Sequence, residues 1–69
     1  MPDVEGFEIL VNGLVRTFRD QREAAYDVAR YIKIRYPKDF VEVLDCATGI
    51  KLIVLEDGSL TSDLSMARQ

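Results

Sequence analysis

From Gly49 to Gly58 the chain reads GIKLIVLEDG. Every position from Ile50 to Leu55 except Lys51 is apolar, and side chains alternate sides along a strand, so this segment turns hydrophobic groups to both faces of a sheet. A chain of 69 residues has room for one helix to cover one of those faces. The other face needs a cover that this helix cannot supply.

Domains of this size bury only roughly 60% of the surface their unfolded chains expose, and natural ones lean on a disulfide, a metal or a second subunit. A lone cysteine, Cys46, rules out an internal disulfide, and with no histidine a zinc site would need several carboxylates in its place. No metal and no cofactor are expected, and association with a partner is the reinforcement that remains. Hydrophobic content of 48% beside 30% charged residues is the balance of a folded chain, not a disordered one. The opening MPDVEGFEIL has neither the basic nor the apolar region of a secretory signal, and the apolar run Leu52 to Leu55 is far too short to span a bilayer. With one free thiol, a reducing cytoplasm is the expected location and no membrane role is expected.

The elements follow from turn chemistry and periodicity. Asn12-Gly13 marks a two-residue hairpin turn, since a type I′ turn needs positive φ at both central positions. Strands Phe7 to Val11 and Leu14 to Phe18 then pair Val11 with Leu14, Leu10 with Val15, Ile9 with Arg16 and Phe7 with Phe18. Asp20 is expected to cap a helix, with Glu23 three residues on as its reciprocal partner. The helix runs to about Tyr36, where Pro37 stops it, and Ala25, Val28, Ala29, Ile32 and Tyr36 share one stripe. A second hairpin pairs Phe40–Asp45 with Ile50–Glu56 through a three-residue loop closing on Gly49. That register sets Asp45 against Lys51, Leu44 against Leu52, Val43 against Ile53 and Val41 against Leu55. After Asp57-Gly58 the remainder reads as a tail, frayed or forming a short helix capped by Ser62. The expected whole is one α+β domain over residues 1–69, with a core from 6 to 57 and a tail from 58 to 69. It is a two-layer ββαββ sandwich, with a four-stranded antiparallel sheet and one helix on one face.

On this register the helix covers Phe7, Ile9, Val11, Leu14, Phe18, Val41, Val43, Ile53 and Leu55. The opposite face carries Leu10, Val15, Leu44, Ile50, Leu52 and Val54, broken by Glu8, Thr17 and Glu42. An antiparallel sheet with one wet face normally alternates cleanly, and six aliphatic side chains together approach the roughly 300–600 Å² patch that soluble monomers tolerate. Three coverings are open: the tail folding back through Leu60, Leu64 and Met66, a different register, or a partner. The partner most economically takes the form of a second copy about a two-fold axis. Leu10, Val15, Leu44, Ile50, Leu52 and Val54 are therefore the candidate interface, and a homodimer or a protein partner is expected.

Formal charge is -3 overall. It is uneven: Arg16 to Lys38 holds seven basic and three acidic residues, net +4, leaving -7 for the rest. The cations Arg19, Arg22, Arg30, Lys33, Arg35 and Lys38, with Tyr26, Tyr31 and Tyr36 nearby, are an alternative surface for nucleic acid. They point in several directions around the helix, and Asp20, Glu23 and Asp27 are interleaved with them. Enzyme activity is not expected. The commonest general base is missing, Cys46 has no imidazole to activate it, and strand alternation separates Glu42 from Asp45. Gly49 and Gly58 belong to turns rather than to a phosphate loop, and no small-molecule substrate is implied.

The stretches VNGLVRTFRDQREAAYDVARYIK and VEVLDCATGIKLIVLEDG resemble small bacterial ββαββ domains of unknown function. The likeness covers roughly residues 7 to 58 and rests on Phe18, Glu23-Ala24-Ala25, Ala29 and Asp57-Gly58. It implies the fold and a bacterial origin. It implies no activity and carries no functional residue across.

Overall fold

The first hairpin forms around Asn12 and Gly13, whose φ angles of 55° and 86° are both positive, as a type I′ turn requires. The computed structural model describes residues 6–62. It joins β1 (Phe7–Val11), β2 (Leu14–Arg19), α1 (Arg22–Arg35), β3 (Val41–Asp45), β4 (Lys51–Val54) and β5 (Leu60–Ser62). The five strands make one antiparallel sheet in the order β2-β1-β3-β4-β5, so the α+β architecture holds with one strand more than the sequence led us to expect. That strand is β5, in the stretch read as a tail. The turn before it is closed by Leu55 N–H on Ser59 O at 2.8 Å, with Gly58 at φ 90°. Leu64 and Met66, offered above as a tail cover, lie outside the described residues.

Two registers differ from expectation, each for a physical reason. In the first hairpin a bulge between Ile9 and Leu10 leaves Arg16 as an extra residue on β2, so Ile9 pairs with Thr17, Glu8 with Phe18 and Phe7 with Arg19. Without the bulge Arg16 would stand beside Ile9, which is fully buried, and its guanidinium would have to be desolvated. The bulge keeps Arg16 in water and moves Phe18 to the face away from the helix. In the second hairpin Leu44 pairs with Lys51, Val43 with Leu52, Glu42 with Ile53 and Val41 with Val54, one residue out of step with the expected pairing. The loop holds four residues rather than three. Asp45 N–H donates to Ile50 O at 2.9 Å, and Gly49, at φ 79°, donates its N–H to Asp45 O at 2.7 Å. The Asp45 carboxylate accepts from Ala47 N–H and the Thr48 hydroxyl accepts from Ile50 N–H, so the loop is held by its own side chains. A one-residue slip turns over every side chain of β4.

The core under the helix is therefore Ile9, Val41, Val43 and Val54 against Ala25 and Ala29, with Phe7, Tyr26, Ile32 and Leu60 packed around them. Two alanines at the centre of the stripe let helix and sheet approach closely. The helix starts one residue later than expected: Gln21 is the N-cap and makes no side-chain capping bond, so Asp20 is not the cap. The other end falls where Pro37 demands, with Tyr36 N–H closing on Ile32 O at 2.8 Å. Among the described residues no helix is long and apolar enough to cross a membrane.

Candidate functional site

The sheet face turned away from the helix is built in two rows that the register sets. Val15, Leu10, Glu42, Ile53 and Thr61 run side by side across all five strands; Phe18, Glu8, Leu44 and Lys51 run below them. Of the residues expected on this face, Leu10, Val15 and Leu44 are here. Leu52 and Val54 are not: the slip carries them beneath the helix, Val54 into the core and Leu52 beside Val43. Ile50 also lies on the helix side, lining a groove with Phe7, Tyr26, Val43 and Leu52. Phe18 and Ile53 take their places. The signal for Phe18 was present in the sequence, because an arginine assigned to a covered face is a reason to look for a bulge.

Exposure is uneven across the face. Val15 and Phe18 remain 56% and 46% exposed, whereas Leu10 and Ile53 are buried in strands flanked on both sides. Between those two stands Glu42, only 5% exposed and with no ion pair among the described residues. A carboxylate in that position depends on what water still reaches it, because desolvating an unpaired charge costs several kcal/mol, on the order of the effective penalty for burying an ion. The Phe18 ring lies across Gly6, where a Cβ would collide with it. Gly6 in turn accepts a backbone bond from Cys46 N–H at 3.0 Å.

The basic residues proposed as a set do not share one surface. Arg19 donates to Thr17 Oγ1 and Phe18 O, both at 2.7 Å. Arg22 lies 4.0 Å from Asp45 and over the Phe7 ring. Arg30 donates to Gly58 O at 2.8 Å, pairs with Asp27 and covers Tyr26, and Lys33 donates to Asp39 O at 2.7 Å. Arg35 and Lys38 are exposed and carry no such bond among the described residues. Four of the six cations thus brace the fold.

The groove beside Arg22 encloses about 210 Å³ between the first half of α1 and strands β3 and β4. Its floor is apolar, and Arg22 and Asp45 on its rim face each other. Cys46 is half-buried, and burial first, then the nearby carboxylates of Glu8 and Asp45, push its thiol above the ordinary range. Such a thiol holds little of the thiolate that nucleophilic chemistry needs. Among the described residues no group of three or more Cys, Asp or Glu is placed to hold a metal ion. No protein-family model, curated protein or solved structure matches the chain.

Proposed function

We propose that the chain is a non-catalytic interaction module that pairs with a second copy of itself through the β2 side of its outward sheet face. Val15 and Phe18 make the contact, with Leu10 and Leu44 behind them. One observation carries this reading. β2 turns two large apolar side chains, Val15 and Phe18, to this face, and neither is buried. A strand so rich in large apolar side chains normally hides one of its faces.

The contact runs through side chains rather than through the open strand edge. The bulge at Arg16 disrupts regular pairing there, and the Arg19 guanidinium occupies the Phe18 carbonyl. Both are devices by which edge strands avoid adding another strand. Nor does the contact extend over the centre of the face, because a subunit seated there would strip the remaining water from Glu42. A two-fold axis near β2 sets Val15 and Phe18 of one copy against those of the other and leaves Glu42 clear.

Sedimentation equilibrium over a concentration series tests this directly. The 7.9 kDa chain should approach twice its mass as concentration rises, and Val15→Lys should hold it at 7.9 kDa with an unchanged circular dichroism spectrum. A wild-type mass of one chain throughout, or a Val15→Lys variant that still associates, counts against the proposal. Non-catalysis is supported by the raised Cys46 thiol and by a groove whose two charged groups face each other.

A further inference from the structure

A separate surface forms where the helix ends. Residues 30–40 hold Arg30, Lys33, Arg35 and Lys38 against the single carboxylate of Asp39, net +3, which leaves -6 for the remainder of the chain. The same stretch bears Tyr31, Ile34, Tyr36 and Phe40, all standing out of the surface; the least exposed, Phe40, is at 45%. Rings and cations are interleaved along it: Tyr31, then Lys33 and Arg35, Tyr36, Lys38 and Phe40. The segment is held in place. Asp39 N–H closes on Tyr36 O at 3.0 Å, Lys33 anchors Asp39 O, and Phe40 exchanges two bonds with Asn12 of the first turn, at 2.7 and 2.9 Å. The Asp39 carboxylate is engaged by the Asn12 amide at 3.3 Å.

We infer that this end of the molecule binds single-stranded nucleic acid, with Tyr36 and Phe40 as stacking surfaces and Arg35 and Lys38 on the phosphates. Exposed rings with cations between them are what an unpaired strand recognises, since every base has a face to stack and every linkage a charge. The acidic remainder of the chain confines a polyanion to this end. Duplex is disfavoured because its bases are already stacked on each other. A membrane surface is disfavoured because the apolar stripe of α1 faces the sheet, leaving Ile34 among charged neighbours.

The test is fluorescence anisotropy of a labelled twelve-nucleotide oligothymidylate with the full chain. Binding at about 50 mM salt should weaken roughly 7- to 50-fold at about 200 mM, as expected for two to four phosphate contacts on a single strand. Tyr36→Ala and Phe40→Ala should each weaken it at least about fivefold, the loss of one stacked base. Lys38→Glu, fully on the surface, should abolish it without touching the fold, while Lys51→Glu on the opposite face should leave it unchanged. No anisotropy change at about 50 mM salt overturns the inference. So does equal binding of duplex with the ring variants unaffected, and so does capture by phosphatidylserine vesicles in place of the oligonucleotide.

Discussion

Replacing Val54 by alanine tests the register of β4, on which the composition of both sheet faces depends. Val54 is 1% exposed and touches the core under Ala25 and Ala29, whereas its neighbour Leu55 is 36% exposed beyond the end of the strand. Val54→Ala removes two buried carbons, about 1.6 kcal/mol by transfer at ~0.8 kcal/mol each. The cavity left under a close-packed helix raises the cost to about 2–3 kcal/mol. Leu55→Ala removes more carbon, but from a site water already reaches, and should cost under about 1 kcal/mol. Domains of this length are stable by roughly 3–10 kcal/mol, so the first substitution takes a large share and should lower Tm by about 10–20 °C. Urea unfolding of both variants gives the two numbers, with equal slopes confirming that the unfolded reference is unchanged. A Leu55→Ala cost exceeding that of Val54→Ala would refute the register, because the alternative pairing of Val41 with Leu55 buries Leu55 and exposes Val54.

Other perturbations check the turns and the titrating groups. Asn12→Ala loses a residue at ease at φ 55° and two side-chain bonds to the segment before β3, and should cost about 1–2 kcal/mol by thermal unfolding. Gly6→Ala forces a Cβ into the Phe18 ring at φ 132° and should destabilise by about 1–3 kcal/mol; a neutral result would displace Phe18 from the position described. The Asp57 carboxyl is held below its usual range by the Ser59 hydroxyl and then by the Ser59 N–H. Its folded form releases the proton first, so the stabilisation is complete above the ordinary carboxylate value and fades as pH falls through the lowered one. Ser59→Ala should move the Asp57 titration upward in a carbon-detected NMR experiment. The Cys46 thiol should alkylate more slowly at pH 8 than the same residue in urea, and Glu8→Gln should quicken it in the folded protein.

Several parts of this fold are written plainly in the chain. Asn12-Gly13 fixes the first turn, the spacing of Ala25, Ala29 and Ile32 fixes the buried side of the helix, and Pro37 fixes its end. The registers were harder because their determinants are small. The bulge carries no glycine to mark it; its cause is the cost of placing Arg16 against Ile9, visible only once the covered face is known. Gly49 closes a three- or a four-residue loop equally well, and the choice rests on the bonds from Asp45 and Thr48 within the loop. The attractive pair Asp45 with Lys51 pointed to the wrong alternative, because Asp45 serves the loop and Arg22 instead. β5 is three residues, Leu60–Ser62, too short and too polar for alternation to announce it. The register of the second hairpin explains why half of the expected interface, Ile50, Leu52 and Val54, lines the helix side. The other half, Leu10, Val15 and Leu44, stays on the outward face because the Leu10–Val15 pair lies on the turn side of the bulge and Leu44 belongs to β3, which the β4 register does not turn over.

The most direct measurement of the proposed contact is a dilution series of amide NMR spectra on the wild-type chain and on Val15→Lys. Concentration-dependent shifts should centre on Val15, Phe18 and Leu44 and be absent in the variant, with Glu42 little changed. Spectra that superimpose at every concentration, or shifts gathered around Glu42 and Ile53 instead, would contradict it.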